Sequence, residues 1–202
     1  MKEHLKKILE PVAGWAAKAL DAAAELVNVR AVQQSLPHPV KRGTKTIPVT
    51  GFVQCQSFSC GFAACLSVAW FFDPTIDAKN LYAAVACYPN GCSGLDIVPA
   101  LRKFGITALR RRTPSFQDIK KAIDHGSPVI APMQATFADG HWTVVYGYQS
   151  QPEAVYVSGY GFPFLGRKLH LWSEFQKRRL PNSLICSVKP TKLSLKRRTA
   201  PR

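Results

Sequence analysis

Hydrophobic residues follow two different patterns along the chain, the first helical and the second strand-like. In the first half, apolar positions recur at the three- and four-residue spacing of helices. From about residue 128 the apolar segments are short, rich in β-branched and aromatic residues, and separated by turn sequences, which is typical of strands. Helices followed by an antiparallel sheet indicate an α+β fold.

The longest predicted helix is the apolar run at residues 62–72, which follows Cys60-Gly61 and ends before Asp73-Pro74. Because this run is apolar on every side, it should be buried as the central helix of the domain. Further helices are predicted at 77–85, after a cap at Ser93, and at 115–124. The predicted strands are a short piece at 47–53, then 128–133, 142–148, 154–158, 168–172 and 183–188.

The sequence divides into three parts. Residues 1–46 are predicted to be a helical N-terminal extension with a linker at 36–45, residues 47–188 the main domain, and residues 189–202 a disordered basic tail. We expect the extension to pack on the domain. A pro-segment, a partner-binding helix and a membrane-surface anchor are its alternatives.

The formal net charge of +15 changes this picture little, because the basic residues are spread along the chain. Such charge attracts phosphates and acidic proteins nonspecifically, so an acidic protein or nonspecific nucleic-acid contact through the tail is a secondary partner prediction. The sequence contains no apolar run of about eighteen residues that could span a membrane, and no recognisable signal peptide. We expect a cytoplasmic protein, with secretion by another route left open.

Six cysteines invite a search for disulfides and metal ligands. The spacing of Cys55, Cys60 and Cys65 does not match a zinc site, so we expect no metal and no other cofactor. Cys87 and Cys92 flank a turn sequence that is compatible with a local disulfide. In a reducing compartment, two reduced thiols are the expected state.

Cys60 is the candidate nucleophile, because a thiol at a helix start lies in a field that favours the thiolate. His141 leads into a strand-like stretch and can serve as its base. The main-chain amide of Cys60 and the side-chain amide of Gln54 can stabilise the oxyanion of a tetrahedral intermediate. Each residue alone has an ordinary structural explanation, and the combination points to acyl chemistry.

In this order the residues resemble the C39-like branch of the papain-like cysteine peptidases, the fold used to trim leader peptides from bacteriocins. The matching segments are Gln54 with Cys60-Gly61, Gly94-Leu95, the stretch 125–131, His141 with Gly147-Tyr148, and Trp172 with Phe175. The resemblance implies a helical N-terminal half with a buried central helix and a C-terminal antiparallel sheet. It also implies Cys60 as nucleophile, His141 as general base and acid, and Gln54 as oxyanion donor, acting on a peptide or protein substrate.

The sequence departs from the family at the third catalytic position. The family places an Asp or Asn after the strand that follows His141, whereas this chain has Ser158-Gly159-Tyr160. Ser158, Gln149 or a main-chain carbonyl could orient the imidazole, or Cys60 and His141 could act as a dyad.

The leading functional hypothesis is hydrolysis of a peptide or isopeptide bond through a thioester at Cys60. One alternative is an acyltransferase that uses the same Cys60 and His141 pair. The other is a weakly active or inactive binding or adaptor protein that keeps the fold without turnover.

Overall fold

The described chain combines five helices with a seven-stranded antiparallel sheet. The computed structural model describes residues 43–52, 58–88, 91–134, 140–159 and 168–188. The helices are α1 (Cys60–Phe72), α2 (Ala78–Val85), α3 (Gly94–Lys103), α4 (Phe116–Asp124) and α5 (Trp172–Arg178). The strands are β1 (Thr44–Thr46), β2 (Ile106–Arg111), β3 (Val129–Gln134), β4 (Gly140–Ser150), β5 (Glu153–Ser158), β6 (Lys168–Leu171) and β7 (Ser183–Val188).

The sheet is organised around β4, its longest strand. The strand order is β2-β7-β3-β4-β5-β6, and every pairing is antiparallel. β1 also pairs with β4, near a register shift between Val145 and Gly147. Four of the five helices precede β3, and three of them precede all strands except β1. The predicted α+β order is therefore confirmed.

Helix α1 is the centre of the hydrophobic core. Nine of its 13 residues are buried, on more than one side of the helix, as its uniformly apolar sequence predicts. It packs against β4 and β3 on one side and against α2 and α3 on the other. None of the helices in the described ranges is long and apolar enough to cross a membrane.

The shorter helices begin at polar caps, in agreement with the sequence. The Asp77 side chain accepts a 2.8 Å hydrogen bond from the main chain of Asn80 at the start of α2. Ser93 caps α3 and Ser115 caps α4, each in a capping box with the aspartate three residues later. These reciprocal bonds satisfy main-chain donors that a helix start otherwise leaves without partners.

Two local predictions were wrong, and two elements were not predicted. Thr44 and Lys45 lie in the segment predicted to be a linker, yet Thr44–Thr46 forms β1, while residues 47–52, in a predicted strand, form no strand. β2 was not predicted, because its outer half is basic and it occupies a sheet edge where little burial is needed. α5 was not predicted either, since its seven residues are too few to establish a helical period.

The helical extension and the basic tail lie outside the described residues, so those predictions remain predictions. The described part of the chain nevertheless shows which contacts hold β1 against β4 and α4. Its Lys45 ammonium lies 3.1 Å from the Asp124 carboxylate at the end of α4, and its main chain pairs with β4.

Replacement of Gly147 by alanine tests the docking of β1. An added Cβ would lie 2.7 Å from the carbonyl oxygen of Lys45 and 2.7 Å from Cγ2 of Thr46. We expect Gly147→Ala to lower the free energy of unfolding by about 1–3 kcal/mol, because β1 must move away. Gly94→Ala is the control, since its Cβ would meet only Trp142 at 3.8 Å. Equal urea-unfolding curves for both variants would contradict the pairing.

Candidate active site

A pocket lies where the first turns of α1 face β4 and the end of β5. One wall of the pocket is a single face of α1, with side chains spaced by three or four residues. The opposite wall is formed by β4 and the end of β5, and Phe52 also lines the pocket. The helix contributes Cys60, Ala63, Ala64 and Ser67, and the strands contribute His141, Trp142, Thr143, Val144, Ser158 and Gly159. The fold thus brings Cys60 and His141, which are 81 residues apart in sequence, to one pocket.

The Cys60 thiol is held by main-chain amides at the start of α1. Its sulfur accepts a hydrogen bond from the N–H of Trp142, the residue after His141, and interacts with the amides of Gly61 and Cys60 itself. Cys60 is only 8% exposed. Burial raises the pKa of the thiol above its ordinary value, and the Trp142 amide opposes that rise. The amides at the helix start lower this pKa, as expected of a helix start that favours the thiolate, but burial has the larger effect.

The His141 ring is held by the main chain of Gly159. Its Nε2 donates a hydrogen bond to the Gly159 carbonyl oxygen, which can only accept. Nε2 must therefore carry the proton, which leaves the lone pair of the neutral imidazole on Nδ1. Burial lowers the pKa of His141, and the hydrogen bond to Gly159 opposes that decrease. The ring is thus favoured as a neutral base with a fixed tautomer.

The carbonyl of Gly159 lies where the family pattern would place a carboxylate or amide side chain. Gly159 has a φ of +82°, which β-branched side chains adopt only with strain. Ser158 also lines the pocket, next to Gly159, and is buried.

Gln149 is not placed to orient the ring. It pairs with Ala154 near the far end of β4, and its amide donates to the carbonyls of Gln151 and Pro152 at 3.1 and 3.3 Å. Eight residues of strand separate it from His141, a length of roughly 26 Å. Gln54 lies outside the described residues, and its role as an oxyanion donor remains a prediction.

Trp142 connects the site to the turn that follows α2, a role the sequence did not reveal. Its indole Nε1 donates a 2.8 Å hydrogen bond to the carbonyl of Cys92, and its ring would lie 3.1 Å from a Cβ at Gly61. Its main-chain amide meanwhile contacts the sulfur of Cys60. A tryptophan in a strand-like stretch is typical of a core residue, so no sequence signal distinguishes this position.

The five cysteines within the described ranges carry free thiols: Cys60, Cys65, Cys87, Cys92 and Cys186. Cys65 and Cys186 are completely buried, and burial raises the pKa of Cys186 to about 12. In those same ranges, no three His, Cys, Asp or Glu side chains are grouped as metal ligands. The chemistry that this pocket offers is a thiol, a neutral imidazole and main-chain amide donors.

A family match covers the part of the chain that forms this pocket. The model of the family described as papain-like cysteine protease AvrRpt2 matches residues 41–168, more than half of the chain. A search of curated proteins finds no significant match.

Solved structures of C39 peptidase domains show the same fold. A double glycine motif protease from an AMS/PCAT transporter, in complex with its leader peptide, has a TM-score of 0.57 and 19% identity, covering 75% of this chain and 98% of that one. A C39-like peptidase from Bacillus anthracis has a TM-score of 0.54 and 14% identity, covering 72% and 96%. The peptidase domain of Streptococcus ComA, a bifunctional ABC transporter, has a TM-score of 0.53 and 18% identity, covering 68% and 96%. The papain-like fold is thereby confirmed.

The ionisation state of Cys60 can be measured by alkylation with iodoacetamide, which reacts with thiolates. Because burial raises the pKa of this thiol, we expect its alkylation rate to increase about tenfold per pH unit between pH 7 and 9. Mass spectrometry of the Cys60 peptide measures the rate, and urea-unfolded protein is the control. A rate that is already constant between pH 5 and 7 would reveal a thiolate–imidazolium pair and contradict the expectation.

Proposed function

Because this chain belongs to the papain-like cysteine protease AvrRpt2 family, we propose that it hydrolyses a peptide or isopeptide bond through a thioester at Cys60. The observation that carries the proposal is the hydrogen bond between His141 and the carbonyl of Gly159. It supplies the orienting contact that the sequence lacks at its third catalytic position. A buried thiol and a neutral base that line one pocket are the parts that nucleophilic acyl chemistry requires.

The reaction begins from a neutral pair. As the Cys60 sulfur attacks the carbonyl carbon of the substrate, Nδ1 of His141 takes the thiol proton, and the imidazolium forms while Nε2–H stays bound to Gly159. The imidazolium then gives that proton to the leaving amine, and the thioester remains on Cys60. In the second half, Nδ1 takes a proton from water, which attacks the thioester; the acid is released, and the imidazolium returns the proton to the departing Cys60 sulfur.

Oxyanion stabilisation is assigned to the start of α1. The side chain of Ser59, which precedes the helix, makes no capping hydrogen bond to it. The amide of Cys60 interacts with its own sulfur in the resting site, and it can donate to the oxyanion that develops beside that sulfur during attack. We assign the second donor to Gln54 on the strength of its position in the family pattern.

A peptide segment with small residues beside the scissile bond fits this pocket best. Next to Cys60, the space beside Gly61 is filled by the Cys92 sulfur and the Trp142 ring, and the helical wall continues with Ala63 and Ala64. One protein with the same fold is a double glycine motif protease that was solved with a leader peptide. We propose a substrate of that class for this chain.

The adaptor alternative rests on the missing side chain that would orient His141. Because the main-chain carbonyl of Gly159 orients the ring, the missing side chain no longer argues for an inactive protein. A binding protein also has no need of a neutral imidazole with a fixed tautomer. Acyl transfer uses the same groups, so it differs from hydrolysis only in whether water or an amine takes the acyl group.

A proteome-derived peptide library is the assay for this proposal. We expect new cleavages with the full chain, and a loss of about a thousandfold or more in Cys60→Ala and His141→Gln, because neither nucleophile nor base can be replaced. His125→Gln is the control, since this exposed histidine caps the end of α4. Reaction in ¹⁸O-water should label the new carboxyl termini. Cleavage that survives Cys60→Ala would refute the proposal, and unlabelled amide products would identify acyl transfer.

Two substitutions of Gly159 test the positioning of His141. Because φ at this residue is +82°, valine is strained there, whereas asparagine tolerates positive φ. We expect Gly159→Val to lower kcat about 10- to 100-fold through displacement of the carbonyl, with a smaller change in KM. Gly159→Asn should stay close to the wild type. Equal rates for the two variants would show that this carbonyl does not position the ring.

A further inference from the structure

An antiparallel bridge between Tyr88 and Gly91 brings the neighbouring residues Cys87 and Cys92 together. Tyr88 and Gly91 exchange both main-chain hydrogen bonds, at 3.2 and 2.7 Å, so they form a hydrogen-bonded antiparallel pair. Cys87 and Cys92 take the next position outward, and residues at such a non-hydrogen-bonded position have Cα atoms about 4.5 Å apart. Disulfides span Cα separations of about 4.4–6.8 Å. The backbone is therefore already shaped for a bond between these two residues.

The two side chains also contact each other. The thiols of Cys87 and Cys92 are close enough to affect each other's ionisation, and both residues are half-buried rather than sealed in the core. Donation from the Cys92 thiol lowers the pKa of Cys87, against the effect of burial, and the same contact raises the pKa of Cys92. Cys87 is thus the better nucleophile of the pair, and Cys92 is placed to react second.

The pair lies against the first turn of α1. The Cys92 sulfur lies 2.0 Å from the position that a Cβ on Gly61 would take, so this glycine is what lets the turn approach the helix. The Cys87 sulfur accepts a hydrogen bond from the main-chain amide of Phe62. Trp142 fixes the carbonyl of Cys92 from the other side. The turn thus contacts the residue after Cys60 and the residue after His141.

We propose that Cys87 and Cys92 form a reversible disulfide next to Cys60, and that its formation makes Cys60 more reactive. The oxidant is a low-molecular-weight disulfide such as oxidised glutathione. The Cys87 thiolate attacks one of its sulfurs and releases one thiol. Cys92 then loses its proton, attacks the Cys87 sulfur of the mixed disulfide and releases the second thiol. Two protein thiols are oxidised and one small disulfide is reduced.

The effect on Cys60 follows from charge. Burial is the largest cause that raises the pKa of Cys60, the Trp142 amide opposes it, and negative charge on Cys87, when that thiol ionises, raises it further. A disulfide carries no charge, and it removes a sulfur anion that competes for the amides at the start of α1. The thiolate of Cys60 is then easier to form. This coupling between the disulfide and Cys60 goes beyond the proposed hydrolase function. Both the disulfide and the reactivity of the Cys60 thiol can be measured without a substrate.

The test is disulfide mapping of the full chain after equilibration with graded ratios of reduced to oxidised glutathione. Acid quenching, alkylation and mass spectrometry should find the Cys87–Cys92 bond, with a midpoint inside the graded range. The same bond should form in Cys60→Ser, which has no candidate nucleophile. Persistence of both thiols in oxidised glutathione alone would overturn the proposal, and so would a Cys60–Cys92 bond as the main product.

The second measurement is the alkylation rate of Cys60 at pH 7.5 in the oxidised and reduced protein after removal of glutathione. We expect oxidation to raise this rate about three- to tenfold, because a larger fraction of Cys60 is then thiolate. In Cys87→Ser/Cys92→Ser the rate should not depend on the glutathione ratio. An equal rate in the two wild-type forms would overturn the link to Cys60. Absence of peptidase activity would alter neither readout.

Discussion

The hydrogen bond from Nε2 of His141 to the Gly159 carbonyl is the contact on which the chemistry of the pocket depends. It fixes the tautomer, so that the lone pair lies on Nδ1, and it holds the ring without a charged partner. A carboxylate in this place would stabilise the imidazolium more strongly. A carbonyl stabilises it less, which is consistent with a site whose resting groups are both neutral.

Burial sets the resting state of that pair. It raises the pKa of Cys60 and lowers that of His141, and in each case a main-chain group, the amide of Trp142 or the carbonyl of Gly159, acts in the opposite direction. In the proposed mechanism, the proton transfer that activates the thiol therefore accompanies attack on the substrate. Cys87 adds a third influence, because ionisation of its thiol raises the pKa of Cys60.

The main elements could be predicted because their signals are local, and the structure brings the proposed pair, Cys60 and His141, to one pocket. An apolar run after Cys60, polar caps such as Ser93 and Ser115, and β-branched segments each identify an element on their own. The contact that orients His141 could not be predicted in the same way. Every residue has a main-chain carbonyl, so the sequence does not mark the one that contacts His141. The direction of the Gly159 carbonyl depends on its backbone conformation and on the pairing of β5 with β4, which exist only in the folded sheet. The edge strand β2 was missed because most of its residues are not buried, so its hydrophobic pattern is weak. The helix α5 was missed because seven residues are too few to show a helical period.

Nitrogen chemical shifts of the His141 ring, measured by NMR on ¹⁵N-histidine-labelled protein at pH 7, report which ring nitrogen carries the proton. Assignment by comparison with His141→Gln isolates the signal of this residue. We expect a neutral ring with a protonated Nε2 and an unprotonated Nδ1. A proton on Nδ1 alone, or protons on both nitrogens, would contradict it, because the Gly159 carbonyl would then not define the base.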